Sequence, residues 1–378
     1  MPASSSSRLR SARWAVPVGA AAAIVIGGVV VPVIAGAAPS LPEKSAAELL
    51  ADVANAPGQP FAGTVVETAR LGLPELPASG GGDTSPMSLL SGSHTAQVWY
   101  SDQDTFRVAL VGTLAETDLV RNGRDLWLWS SDSNSADHVV LPDQPDQPDQ
   151  HGKPGKPATG PAPSGPPITP QQAAEQALAA VDPTTAVSVD GTAEVAGRAA
   201  YELVLRPRDN RSLVDAVRLA VDAETSVPLR VRVLAKGASE PAFETGFTSV
   251  RFERPADSVF RFSPPPGAEV TTRQPEELDA AGSAASHADE ALAAAPSLLG
   301  EGWTTVLELP KVQAAELRQN ELGNALFRDA EHVRGRFGSG HLLTSTLASA
   351  LLTDDGRLFV GAVTPRALLA AANEKGPQ

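Results

Sequence analysis

The sequence predicts an α+β protein built on a strongly curved antiparallel sheet covered by helices. A small C-terminal α+β module follows it, and an N-terminal transmembrane or signal helix precedes it. Three observations carry this reading. About ten short β-branched or aromatic runs lie between Phe61 and Phe262, joined by turn-forming residues. Only two amphipathic helical patterns accompany them, so the helices can cover a sheet but not replace it. An uncharged stretch, Trp14–Ala38, follows Arg8, Arg10 and Arg13 at the extreme N-terminus.

That N-terminal stretch sets the compartment. Positive residues before an apolar run stay on the cytoplasmic side, and Trp14 sits where an interfacial aromatic belongs. Residues 1–13 are therefore expected in the cytoplasm and residues 14–38 in the membrane. The apolar run is longer than a signal-peptide core, which favours a retained anchor; Ala35-Gly36-Ala37 offers a small-x-small cleavage pattern, which favours removal. Both remain open at this point. The expected location is the extracytoplasmic face of the cell membrane, with a single N-in anchor, or the outside if the chain is cut after Ala37.

Composition excludes several classes. The net charge is −14, and the first 38 residues hold three arginines and no acid, leaving −17 for residues 39–378. Such a surface repels phosphate backbones, so nucleic acid is not an expected partner. The absence of cysteine removes disulfide frameworks, thiolate metal sites and cysteine nucleophiles.

The elements follow in order. Leu41–Ala56 places Ala46, Leu49, Leu50 and Val53 on one helical face, and Pro57-Gly58 ends it. Strand patterns come next at Phe61–Thr68, Ala96–Tyr100, Phe106–Val111 and Asp125–Ser130, with a turn at Asn122-Gly123. In Leu126-Trp127-Leu128-Trp129 both faces are apolar, which calls for partners on each side. Leu141–Pro170 is a linker, since ten of its thirty residues are proline and Pro-Asp-Gln repeats from Pro142, Pro145 and Pro148. Thr169, Pro170 and Gln172 then open a helix expected to run to Val181. Strands resume at Thr192–Val195, Ala200–Arg206, Val217–Val221, Leu229–Leu234, Phe243–Phe252 and Val259–Phe262, before Pro264-Pro265-Pro266-Gly267.

Beyond Arg273 an alanine-rich helix is expected at Glu276–Ala295, a strand at Gly302–Leu309, and a helix at Val312–Phe327 broken or bent near Gly323. Leu342–Leu352 and Leu358–Val363 flank a hairpin signal at Asp354-Asp355-Gly356, and Thr364-Pro365 opens a last helix. The domain plan is thus residues 41–272, with a proline-rich insertion at 141–169, followed by residues 273–378.

Catalytic constellations are missing. There is no Gly-x-Ser-x-Gly elbow, phosphate-binding loop or dinucleotide fingerprint. The histidines at 94, 138, 151, 287, 332 and 341 show no i, i+4 pairing. Asp102 and Asp104 read as turn residues, and Asp354-Asp355-Gly356 lacks the further ligands of a calcium loop. No metal, cofactor or enzymatic activity is expected. What accumulates is aromatic material on strands: Trp99, Phe106, Trp127, Trp129, Tyr201, Phe243, Phe247, Phe260 and Phe262. Core packing accounts for such residues singly; together they are candidates to line an apolar cleft for a greasy ligand.

The order of motifs over residues 43–272 resembles the LolA-like superfamily, which includes the lipoprotein carrier LolA and the N-terminal domain of the envelope-stress regulator RseB (MucB). The residues that carry the resemblance are Phe61–Val65, Val98-Trp99-Tyr100 with Phe106-Arg107, Asp118–Trp129, Tyr201–Pro207, Val217–Pro228, and Phe260-Arg261-Phe262 running into Pro264-Pro265-Pro266-Gly267. The resemblance implies an unclosed β-barrel plugged by helices that binds acyl chains or lipidated proteins. Two departures stand out. Asp102-Gln103 occupies the place where the carrier has arginine-proline, and the insertion, anchor and C-terminal module are additions. Two functions follow as expectations: a carrier or acceptor of a lipid or lipidated protein, or a regulator engaging a membrane partner such as an anti-sigma factor.

Overall fold

The computed structural model describes residues 39–56, 58–73, 84, 88–141, 183–273, 297–309, 312, 321–328 and 330–375. Trp14–Ala38 and the helices expected at Pro170–Val181 and Glu276–Ala295 lie outside the described residues. Among the described residues, no helix is long and apolar enough to cross a membrane.

Helix α1 (Ala46–Asn55) starts later than its periodicity suggests because Ser45 caps it. The Ser45 hydroxyl accepts from the Glu48 amide at 3.2 Å, and the Glu48 carboxylate accepts from the Ser45 amide at 2.8 Å.

The large sheet has twelve strands: β1 (Phe61–Arg70), β2 (Ser91–Asp102), β3 (Thr105–Val111), β4 (Glu116–Asn122), β5 (Asp125–Ser130), β6 (Ser135–Val140), β7 (Thr185–Val195), β8 (Arg198–Pro207), β9 (Val214–Asp222), β10 (Pro228–Ala235), β11 (Pro241–Arg251) and β12 (Glu269–Arg273). Their spatial order is β12-β6-β5-β4-β3-β2-β1-β11-β10-β9-β8-β7. Two meanders, β1 to β6 and β11 back to β7, therefore meet at the antiparallel β1–β11 pair.

Three differences from the sequence reading have physical causes. Val259–Phe262 is not a strand: Asp257–Phe260 forms a 3-10 turn that buries Phe260, and the prolines that follow cannot donate to a ladder. Strands β4, β6 and β12 are rich in polar residues and gain their order from pairing rather than from pattern. The sheet is also not wholly antiparallel, because β12 joins β6 in parallel, pairing Glu269 with Ser135 and Arg273 with Val139.

The sheet curls. Arg198 at the start of β8 places its guanidinium 4.8 Å from the centre of the Phe252 ring, just past β11, although β9 and β10 intervene. A bulge between Thr64 and Val65 helps the bend. Gly63 beside it is required by close approach: a Cβ there would sit 2.9 Å from the Phe247 ring. Two apolar clusters fill the fold. One joins Phe61, Val65, Val98, Val108, Leu110 and Phe247. The other packs Leu49 of α1 on Tyr201, Leu203, Leu205, Leu219 and Val231. Tyr201 also donates its hydroxyl to the Pro42 carbonyl at 2.9 Å, fixing the entry to α1.

A second sheet has six strands: β13 (Ser297–Leu299), β14 (Val306–Leu309), β15 (Glu331–Gly335), β16 (Gly338–Thr344), β17 (Ser349–Thr353) and β18 (Leu358–Gly361), in the order β13-β14-β18-β17-β16-β15. The expected Leu342–Leu352 strand is two strands, turning at Ser345–Ala348. Helix α2 (Glu321–Phe327) runs through Gly323, and α3 (Pro365–Lys375) buries Leu368 and Ala372. As expected, Thr364 caps α3, accepting from the Ala367 amide at 3.3 Å. Asp355 of the β17–β18 turn holds buried Arg357 at 2.8 Å, so its role is structural.

The two sheets are joined by main-chain hydrogen bonds. The Leu213 amide donates to Ala362 O at 2.9 Å, the Thr364 amide to Arg211 O at 2.8 Å, and the Thr346 amide to Leu71 O at 2.8 Å. The Trp303 indole adds a 2.7 Å bond to Thr185 Oγ1.

Candidate functional site

Strand alternation and register divide the large sheet into two faces. On the first face, Leu128, Leu119, Val108 and Val98 are successive cross-strand partners from β5 to β2. Leu110, Ala96, Val65 and Phe247 form a second row from β3 to β11. Ala69, Phe243, Val233, Val217, Leu205 and Val187 form a third, from β1 to β7. Between the last two rows lies one that opens with polar residues: His94, Glu67 and Thr245, followed by Val231, Leu219, Leu203 and Val189.

The nine aromatic candidates fall into separate groups. Phe106, Tyr201, Phe243 and Phe247 belong to the first face. Phe247 meets Phe61 edge-on at 5.5 Å, and Phe61 stacks on Tyr100 at 5.3 Å, so these three rings form a connected aromatic patch with Phe106 packed beside it. Tyr201 lies with α1 in the second cluster.

Trp99, Trp127 and Trp129 belong to the second face, in register with Arg107, Val120 and Asp118. Trp127 stacks on His138, and Phe262 covers both Trp127 and Trp129 at 5.3 and 6.4 Å between ring centres. Phe260 is buried in the same segment. The indole N–H of Trp129 is buried with no hydrogen-bond partner.

The second face also carries ions. Arg107 pairs with buried Asp118 at 2.6 Å while lying over Trp99. Burial pushes the Asp118 carboxyl up, and Arg107 opposes this. Glu202 is shared by Arg218 at 2.7 Å and by Arg232. Arg232 keeps one buried nitrogen, Nε, without a partner. On the first face Arg121 pairs with Asp104 and Asp137 with Arg273 towards the β4–β6 end, whereas on β1 and β11 that face is apolar except at one place.

That place is Glu67 and Thr245. Glu67 is 7% exposed and Thr245 is fully buried, yet neither Glu67 oxygen nor the Thr245 hydroxyl has a hydrogen-bond partner. Burial raises the Glu67 carboxyl to about 7, with the His94 charge pulling the other way. No sequence motif picks out either residue. A signal was present, because Glu67 falls in phase with Phe61, Val65 and Ala69, where an apolar residue is expected. Among the described residues, no group of three or more histidine or acidic side chains could hold a metal ion.

No family model matches the chain, and no curated protein does. Solved structures are similar to it. The Pseudomonas aeruginosa MucA/MucB complex contains a chain that is 17% identical, with 86% of this chain and 96% of that one covered, at a TM-score of 0.42. An uncharacterized conserved protein from Thermus thermophilus is 15% identical, covering 60% and 99%, at a TM-score of 0.34. A LolA superfamily protein from Nitrosomonas europaea is 12% identical, covering 58% and 99%, at a TM-score of 0.23.

Proposed function

We propose that the chain is a non-enzymatic, extracytoplasmic binding protein that holds the apolar chain of a lipid or lipidated protein against the first face of its large sheet. The observation that supports this most is the run of apolar cross-strand rows on that face. Leu128, at one end of a row, remains 43% exposed. Rows of this kind suit a linear hydrocarbon, which gains about 0.8 kcal/mol for each methylene removed from water. The three arginines ahead of Trp14–Ala38 favour placement outside the cytoplasm, and the resemblance of the motifs to the LolA-like superfamily points to the same ligand class.

A hexadecanol carrying a photoreactive diazirine on its chain tests the reading. Added to the full chain and irradiated, it should label peptides of β1, β2, β3 and β11 saturably, with unlabelled hexadecanol competing. Labelling that is unsaturable, or confined to second-face residues such as Trp99 and Trp127, would refute it.

A further inference from the structure

Glu67 and Thr245 are direct cross-strand partners on β1 and β11. Three polar atoms, Glu67 Oε1 and Oε2 and Thr245 Oγ1, are buried there with no partner. Buried polar groups are nearly always hydrogen-bonded, so an unpartnered carboxylate beside an unpartnered hydroxyl calls for an explanation. The fold supplies none. Val65 and Ala69 flank Glu67 along β1, Phe243 and Phe247 flank Thr245 along β11, and Val231 continues the row. Valines at positions 67 and 245 would extend the apolar row of Val231, Leu219 and Leu203 on to β1 without interruption. A carboxylate directed into such surroundings instead marks a place for a donor brought by a ligand.

We propose that Glu67 and Thr245 form the head-group subsite of the first face and take a primary ammonium attached to an alkyl chain, an inference that rests on the binding role proposed above. A primary ammonium has three N–H donors, matching the three unpartnered oxygens in number. Its charge also compensates the carboxylate, which neither an alcohol nor an amide does. The attached chain then has the rows of Phe243 and Phe247 on either side. A carboxylate or phosphate head would be repelled, and a quaternary ammonium would bring charge without donors. The −17 carried by residues 39–378 raises the local concentration of cations.

Binding of a cation requires Glu67 to be ionised. Burial sets its carboxyl at about 7, so affinity should rise with pH through that value. His94 on β2 is the titratable side chain that acts on it. On the same face of β11, Phe243, Thr245 and Phe247 are uncharged, as is Leu89, which packs against the same cluster; Glu244 of β11 belongs to the opposite face.

The experiment is calorimetric titration of the full chain with dodecylammonium, dodecyltrimethylammonium and dodecanol at pH 6 and pH 8. Dodecylammonium should bind roughly tenfold tighter than either of the others at pH 8, the scale expected of charge-assisted bonds, and lose most of that advantage at pH 6. Glu67→Gln should abolish the preference, bringing dodecylammonium to the affinity of dodecanol, with a cooperative thermal transition showing that the variant is folded. Should it not fold, Glu67→Leu replaces it. Thr245→Val should weaken dodecylammonium alone, and His94→Asn should leave the preference in place.

Equal affinity for ammonium and alcohol, equal affinity for the primary and quaternary ions, or a preference that survives Glu67→Gln would each overturn the head-group assignment while leaving the binding role standing. If none of the three binds, the binding role falls too.

Discussion

Trp127 and His138 lie face to face across the β5–β6 pair, their ring centres 4.0 Å apart and their planes 5° from parallel. His138 Nε2 donates to Asp125 Oδ1 at 2.7 Å, and Phe262 closes on Trp127 from the chain beyond β11. This stack ties β6 to β5 and seats the segment that carries Phe260.

A double-mutant cycle with Trp127→Ala and His138→Ala should therefore return a coupling energy of about 0.5–1.5 kcal/mol in denaturant unfolding. Asp125→Ala should cost less than about 1 kcal/mol, because Asp125 is 55% exposed and its pair is screened by water. Strict additivity of the two ring deletions would show that the stack contributes nothing.

Glu67 predicts a pH dependence of stability. Its carboxyl rises from 4.5 to about 7 on folding, so folding takes up a proton between those values. The stability linked to this proton is full below pH 4.5 and lost as the pH rises through 7. Glu67→Gln should flatten that slope and be more stable than the native chain at pH 8, by up to about 3 kcal/mol. Urea titrations at pH 5 and pH 8 measure this; a native chain no less stable at pH 8, once other groups are matched by the variant, contradicts it.

Asp222 has the opposite sign. Burial alone would raise its carboxyl, but Arg198 binds it through two nitrogens and Thr225 donates both its amide and its hydroxyl, so the group sits below its ordinary 3.8. The stabilisation is present above pH 3.8 and disappears as the pH falls through the lowered value. Asp222→Ala leaves Arg198 only the exposed Glu224 at 2.9 Å and strips the Thr225 amide and hydroxyl of their acceptor, so it should cost about 3 kcal/mol at pH 7, read from thermal unfolding. A loss under about 1 kcal/mol would mean that water replaces the carboxylate.

Trp303 should control how the two sheets hold together. Trp303→Ala removes the bond to Thr185 and a ring packed on the Tyr201 cluster. Amide exchange at Leu213 and Thr364 should then speed up roughly tenfold, while Val98 and Val108 stay protected. Uniform acceleration would indicate global destabilisation instead.

Much of the fold can be read directly from the residues. Asn122-Gly123 makes the predicted turn, with Gly123 at φ +62°, and Asp354-Asp355-Gly356 joins β17 to β18. Strand β12 could not be read in the same way. Glu269–Arg273 is exposed at every position, so no periodicity marks it, and only its parallel partner β6 makes it a strand. The run Val259–Phe262 misleads because one turn can bury Phe260 as effectively as a strand. At the site, the aromatic residues are evident from sequence, but their faces are not. Trp99 and Phe106 stand seven residues apart across one hairpin and belong to opposite faces, which only the register decides.

The meeting of the two meanders at β1 and β11 has a consequence for how the chain can be divided. Sequence positions 61–140 supply β1 to β6 and positions 185–251 supply β7 to β11, and the eight register pairs from Ala62–Arg251 to Ala69–Phe243 fasten one block to the other. A single backbone cut between β6 and β7 would leave each meander whole. The fragments would re-form the sheet by complementation along one strand pair, with β12 returning to clasp β6 from the other side. Glu67 comes from the first fragment and Thr245 from the second, so neither piece alone would contain the subsite. Their reunion would create it, and a ligand bound there would act as a bimolecular fastener between the two halves.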